Sequence, residues 1–469
     1  MMEVNWTEEV LKRKEEMLSD LTGLLQIESV LDVEDTNEDA PFGYKVREAL
    51  DYMIKLGERD GYQTKDVQHV AGHLEFGEGE DSIGILCHVD VVPAGSGWTS
   101  PPFKPEIREG KLYARGAIDD KGPTIAAYWA MNIVKELCPS LSKRVRMIIG
   151  TDEESSWRCV DTYFKKEEMP LMGFAPDAVF PIIYAEKGIA DFEWDFPATE
   201  TERHDLVLQS FTAGERLNMV PDLANAVFVG EEKVLSKVKK EFEEYLTQKQ
   251  LNGNATLAES LVLEIEGVSV HGSKPEQGNN AAFRLADFLS GVGLDTNGST
   301  YIDFIARWLV DDFYGRKFGV DVEDDITGAL TMNAGTFEYK SSDGGKVGIN
   351  LRYPVSCDFD EVKSTFDKVT GPNDIKMTII DHMTPHHVPE DHELVKKLQR
   401  VYEKQTGEPA ELLSIGGGTY ARSLDAGVAF GALFEGKPQL AHQKDEYVEI
   451  DDLLKAAAIY AEAIYELAK

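Results

Sequence analysis

Apolar residues along the chain recur at two periods, and the order in which those periods occur predicts the architecture. Between Trp6 and Leu25 the positions Val10, Met17, Leu18, Leu21, Leu24 and Leu25 fall on one helical face, which predicts a single amphipathic helix with Thr7 as N-cap. A second helix is expected over Lys45 to Leu56, where Val46, Leu50, Met53 and Ile54 line up. The run Ile83, Ile85, Leu86, Val89, Val91 and Val92 lies between the turn-formers Gly77 to Ser82 and Pro93 to Gly97 and predicts a buried strand. Asp120 to Leu137 is small and apolar enough for a helix packed on a sheet. Val145 to Ile149 then predicts another buried strand, ending in Gly150-Thr-Asp-Glu-Glu154.

The pattern changes near Gly188. Alternation over Asp191 to Phe196 and Leu261 to Val270, helical spacing over Glu231 to Thr247 and Tyr301 to Phe313, and a hairpin turn at Asp343-Gly-Gly345 predict an α+β insert. The strand-helix rhythm returns with a helix at Leu394 to Lys404, strands at Leu412 to Ile415 and Val428 to Phe434, and a closing helix at Asp452 to Leu467. The fold expected is therefore α/β: an α/β catalytic domain interrupted by an α+β lid domain. Its parts are 1–187, 188–385 and 386–469, and 469 residues are more than one core usually covers.

Charge changes the picture by exclusion. Lys and Arg number 48 against 84 Asp and Glu, a formal charge of −36, which disfavours nucleic acid and anionic membranes as partners. Cys87, Cys138, Cys159 and Cys357 are widely spaced, without the framework of a secreted disulfide scaffold. The charged stretch Met1 to Asp20 has no apolar core of a signal peptide, and Ile125 to Val134 is too short to span a bilayer. A cytoplasmic protein is expected.

In open α/β sheets ligands bind beyond the carboxyl ends of the strands. Collecting residues there yields His88 and Asp90, then Asp119 and Asp120, then Asp152, Glu153 and Glu154, then Asp177 and His442. Residues two apart on a strand share a face, so His88 and Asp90 should be neighbours, and the carboxylate could accept the second ring N–H of a metal-bound imidazole. Imidazoles and carboxylates together suit zinc and its first-row neighbours, whereas this much negative charge without a cation would repel itself. Of the adjacent acids Glu153 and Glu154, one can ligate while the other takes a proton from water. Singly each has an ordinary structural explanation: a solvated turn for the acid pair, an N-cap for Asp119-Asp120.

The strings His88-x-Asp90, Arg115-Gly-x-x-Asp119-Asp-Lys121-Gly, Asp152-Glu153-Glu154, Asp177 and Ala441-His442-x-x-Asp445-Glu446 resemble the signature of the dinuclear metallopeptidase family of aminoacylases, carboxypeptidase G and bacterial dipeptidases. Thr151-Asp-Glu-Glu-Ser155, Gly214-Glu-Arg-Leu-Asn218-Met-Val-Pro221 and Gly416-Gly-Gly-Thr-Tyr-Ala-Arg422 resemble the dipeptidases within it. The resemblance implies two divalent ions, zinc in the first place with manganese or cobalt as alternatives. His88 and Asp177 would hold one ion, Glu154 and His442 the other, with Asp119 bridging. Glu153 would be the general base and Asp90 the partner of His88. From the lid, Asn218, His271 and Arg352 would reach substrate, His271 as oxyanion donor.

The activity implied is hydrolysis of dipeptides and short peptides with a free N-terminus by a hydroxide shared between the ions. The alternative is an N-acyl-amino-acid or succinyl-diaminopimelate type amidohydrolase. Gly416, Gly417 and Gly418, ahead of a helix expected near Thr419, offer backbone N–H groups to the substrate carboxylate, or form a plain turn. The insert is long enough for two lobes, from which the resemblance implies a monomer. His69, His73, His204, His382 and His392 are expected at the surface, and His386 and His387 beside the hinge.

Overall fold

The computed structural model describes residues 4–199 and 204–469, so Met1 to Glu3 of the charged N-terminal stretch lie outside it. The described chain forms two compact units. One comprises the chain up to Ala185 with His387–Ser414 and Gly418–Lys469; the other comprises Glu186–His386 with Ile415–Gly417.

The first unit is built on a mixed sheet whose central strands are parallel. Ser82–His88 is buried along its whole length and lies between Arg144–Gly150 and Met172–Ala175, parallel to both. Gly427–Ala429 extends the parallel set beyond Met172–Ala175, and Ala71–Phe76 flanks Arg144–Gly150 antiparallel. Such strands cannot present a polar face to water, which is why they are nearly continuous apolar runs. The helices Lys121–Leu137 and Ile450–Ala468 supply cover, with small residues such as Ala126, Ala127, Ala130, Ala456, Ala457 and Ala461 fully or almost fully buried. Gly150 ends its strand where a side chain could not fit, since a Cβ there would lie 1.8 Å from the Tyr420 hydroxyl oxygen.

The second unit is an antiparallel sheet of eight strands, in the order Gly253–Leu257, Leu261–Glu266, Leu223–Gly230, Leu206–Ala213, Thr331–Lys340, Gly344–Tyr353, Gly188–Phe196 and Lys376–Met383. Gly188–Phe196 alternates strictly: Ala190, Phe192, Trp194 and Phe196 are buried, while Asp191, Glu193 and Asp195 are only partly so. Trp194 is surrounded by Phe192, Phe304, Phe318 and Phe366 with ring centroids 5.2 to 5.4 Å away. Helices Glu232–Lys249, Ala281–Leu289 and Phe359–Thr370 add apolar residues to the same core.

Several elements differ from their expected form. The first helix is two, Trp6–Lys12 and Lys14–Leu25, broken at Arg13, and its N-cap is Asn5, whose side chain accepts the Glu8 N–H, rather than Thr7. Val428 to Phe434 is two short strands, Gly427–Ala429 and Ala432–Leu433, interrupted where Gly431 takes a φ of 79°. The helix expected over Tyr301 to Phe313 runs instead over Thr296–Phe304, continues as a π-turn through Ile305–Leu309 and stops. Asp90 lies beyond the strand that ends at His88.

Phe366 is fully buried against Phe192, Trp194 and Phe318. Phe366→Ala is expected to cost about 3–5 kcal/mol of stability. A lower urea midpoint followed by tryptophan fluorescence would show it, and an unchanged midpoint would mean that this aromatic cluster does not hold the unit together.

Candidate metal centre

Most candidate ligands in the first unit sit at or just past the carboxyl end of a parallel strand or at the entry to the apolar helix, and His442 comes from a separate loop. His88 is the last residue of its strand and pairs in register with Gly150, three residues before Glu153. Asp177 follows the strand Met172–Ala175 by two residues. Asp119 precedes Lys121–Leu137, and His442 lies in the segment before Tyr447–Glu449.

The side chains converge. His88 Nε2 lies 3.3 Å from Asp119 Oδ1, 3.5 Å from Asp177 Oδ2 and 3.9 Å from Glu153 Oε2. His442 Nε2 lies 3.1 Å from Asp119 Oδ2 and 3.0 Å from Glu154 Oε2. The ligand atoms form two groups, His88 with Glu153 and Asp177, and Asp119 with Glu154 and His442, each within 4.8 Å. Asp119 alone turns one oxygen to each imidazole, which is the geometry of a bridging carboxylate. Glu153 has the longest of the three contacts to His88 Nε2 and falls in the same group of candidate ligands as His88 and Asp177.

The electrostatics ask for a cation. Burial raises the carboxyls of Glu153, Glu154 and Asp177 above their usual range, and neighbouring carboxylates add to the effect. Burial opposes ionisation of Asp119 too, but its contacts with His442 and His88 hold it below that range. Burial lowers the basicity of His88, yet Asp119, Asp177 and Asp90 together raise its pKa well above the ordinary value. His442 rises to about 10 through Asp119 and Glu154. Imidazoles and acids packed this closely retain protons that a metal would displace. His88 Nε2 is moreover buried without a hydrogen-bond partner while carboxylate oxygens face it. The donor set fits two divalent ions.

A second layer of carboxylates holds the loops. The Asp90 backbone carbonyl, 3.0 Å from His88 Nδ1, orients the ring; the Asp90 carboxylate is 3.4 Å away and its Oδ2 instead accepts the Glu154 N–H at 3.0 Å. The expected side-chain partnership is present as the longer contact, and the Asp90 backbone carbonyl adds a closer one to the same ring nitrogen. Asp120 stands at the N-cap position but makes no side-chain capping bond. Its Oδ2 accepts the His88 N–H and the Thr124 hydroxyl. Glu446 Oε1 accepts the N–H groups of Ile118 and Asp119, and Glu446 Oε2 takes Arg115 Nη1 at 2.6 Å. Tyr420 is fully buried and edge-on to the His88 ring. The roles of Asp120, Arg115, Tyr420 and Glu446 were not legible in advance, although all four stand within the strings that carry the resemblance.

Asn218, His271, Arg352, Gly416 and Gly417 belong to the second unit, and Gly418 to the first. Asn218 and His271 are exposed on adjacent segments joined by the bridge between Met219 and His271. Arg352 Nη1 donates to the Gly416 carbonyl at 2.5 Å and Nε to Asn350 Oδ1 at 3.0 Å. Burial and the Arg352 charge lower the pKa of His271. The Ser273 N–H donates to His271 Nδ1 at 3.2 Å, which leaves the ring proton on Nε2. No α-helix follows the glycines: Tyr420–Ser423 is a single 3-10 turn, so the expected helix N-terminus is absent. His73, expected at the surface, is buried, bonded to the Tyr163 hydroxyl and lowered to about 4 by burial. His69 and His392 are partly buried; His204 and His382 are exposed.

The model of "Peptidase family M20/M25/M40" matches residues 84–466. A Bacillus subtilis (strain 168) protein named "Putative dipeptidase YtjP" is 51% identical over 470 residues, covering 99% of this chain and 100% of its own. The fold is similar to that of human carnosine dipeptidase 1, with a TM-score of 0.56 at 14% identity over 98% of each chain. It is also similar to that of the Bacillus subtilis protein YXEP, described as a dinuclear metal-binding peptidase, with a TM-score of 0.50 at 9% identity over 97% of this chain and 98% of the other.

Because Asp119 faces both imidazoles, Asp119→Ala should remove both metal sites at once, whereas His442→Ala should remove one. Elemental analysis after metal loading and desalting would show it; an Asp119→Ala protein that keeps two tightly held ions would rule out the bridging role.

Proposed function

The chain belongs to peptidase family M20/M25/M40 and is a metallo-hydrolase acting on peptides, and on that premise we propose that it is a PepV-type dipeptidase, a cytoplasmic monomer cleaving dipeptides and short peptides with a free N-terminus. One observation carries the reading: a single carboxylate, Asp119, lies between two imidazoles, with the acid Glu153 beside His88. A pair of divalent ions, when bound, would supply Lewis-acid polarisation of the scissile carbonyl and lower the pKa of a bound water toward about 7. On this reading His88 and Asp177 would hold one ion and Glu154 and His442 the other, with Asp119 available to both. Zinc suits this donor set, as do manganese and cobalt.

The rest is the work of the chain. Glu153, 3.9 Å from His88 Nε2, takes the proton of the attacking water and delivers it to the leaving amine. The Asp90 carbonyl keeps His88 Nε2 directed at the acids, and the Asp90 carboxylate steadies the backbone of Glu154. In the second unit His271 Nδ1 accepts the Ser273 N–H, which leaves Nε2 with the ring proton that an oxyanion donor requires. Arg352, fixed by Asn350 and Gly416, is a guanidinium suited to the substrate's terminal carboxylate. Asn218, on the segment bridged to that of His271, would bind substrate beside it.

Glu153→Ala should abolish turnover while two ions remain bound, and Glu154→Ala should lose metal; the reverse pattern in metal analysis would exchange their roles. His271→Ala should lower kcat by about 10²- to 10³-fold with little change in metal content, and wild-type turnover would remove it from the mechanism. These assays require a panel of free-amine and N-acylated dipeptides with each metal restored to stripped protein. A preference for the N-acylated compounds would overturn the dipeptidase assignment.

A further inference from the structure

The loop that carries His442 has no regular backbone pairing of its own between Leu440 and Glu446, and it is strained twice. His442 and Asp445 both adopt left-handed conformations, with φ of 63° and 56°, though neither is glycine. Such conformations persist only where the surroundings over-determine them. Here side chains do so. The Asp445 carboxylate accepts the Thr99 N–H at 2.7 Å and the Thr99 hydroxyl at 2.9 Å. Arg115 and Glu446 are almost completely buried. Arg115 Nη1 donates to Glu446 Oε2 at 2.6 Å and to the Gln443 carbonyl at 3.3 Å, and Nη2 reaches the Pro93 carbonyl at 3.4 Å. Glu446 Oε1 accepts from Ile118 N at 2.9 Å and Asp119 N at 3.3 Å, while the Glu446 carbonyl accepts from Ala114 N at 3.1 Å.

We propose that Arg115 and Glu446 are positioning residues for the half of the metal centre that contains His442, the pair setting the distance between the His442 imidazole and the Asp119 carboxylate. The inference rests on the two-metal reading above. One ion pair grips both partners of the 3.1 Å contact between His442 Nε2 and Asp119 Oδ2: the guanidinium holds the carbonyl next to His442, and the carboxylate holds the amide of Asp119. A buried ion pair is a poor device for stability alone, since well-packed apolar residues often replace one at no cost. No apolar pair could accept two backbone amides and donate to two carbonyls.

The test is calorimetric titration of manganese(II) into the metal-stripped full chain. Wild type should take up two ions, and His442→Ala marks the step that belongs to its site. In Glu446→Gln, nearly isosteric, that step should weaken by about 10- to 100-fold, the usual effect of losing a group that orients a metal ligand, while the other step moves much less. Arg115→Lys keeps the charge but loses the fork and should weaken the same step to a smaller degree. The control is Glu75→Gln, which breaks another buried pair of this unit, with Arg146, and should leave both steps unchanged. Circular dichroism confirms folding, and if Glu446→Gln does not fold, Arg115→Lys decides. Wild-type affinities in the folded variant, or equal weakening in Glu75→Gln, would overturn the proposal. Fewer than two ions in wild type would instead overturn the two-metal reading on which it rests.

Discussion

Carboxylates crowded around two imidazoles repel one another, and the loops that bear them stay together because other buried carboxylates grip their backbone amides. Asp120 accepts the amide of His88, Asp90 that of Glu154, and Glu446 those of Ile118 and Asp119. Each acid belongs to a different loop from the ligand it holds, Asp120 and Asp119 being adjacent residues with opposite duties. Buried amides must find acceptors, so a few such bonds can fix loops that have no ladder of their own.

The sheet makes that interlock possible. The parallel strands ending at His88, Gly150 and Ala175 bring three ligand-bearing loops to one edge, and the apolar helix Lys121–Leu137 begins at the same place. These strands are buried on both faces and mostly apolar, and the one charge well inside them, Arg146, is paired with Glu75 of the neighbouring strand. The second unit obeys another rule: its antiparallel strands alternate, and its core is an aromatic cluster around Trp194. Its candidate substrate residues lie on loops and on a strand end, not on the helices that cover the sheet.

Much of this was legible from the sequence, and the limits have physical causes. Hydrophobic period is local, so the buried strand ending at His88, the apolar helix after Asp120 and the alternating strand around Trp194 were readable from their neighbours. The break at Arg13, the π-turn after Phe304 and the single turn after Gly418 were not, because each is a place where tertiary packing overrides a continuing helical pattern. His73 looked like a surface residue beside charged neighbours, yet on the strand Ala71–Phe76 it is buried against Tyr163.

By itself the sequence determined the alternation of strand and helix, the interruption by an α+β insert and the set of acids and imidazoles at strand ends, since residue type and spacing along the chain suffice for these. Only the tertiary structure decided which of those acids meet the imidazoles and which hold backbone. Asp119 and Asp120 are adjacent and chemically identical, as Glu153 and Glu154 are, and residue type and spacing do not separate them; in the sequence only the family resemblance did. Their environments do. The partners that distinguish them, His442 for Asp119 and the His88 amide for Asp120, come from loops remote in the chain, and a contact of that range has no local signature.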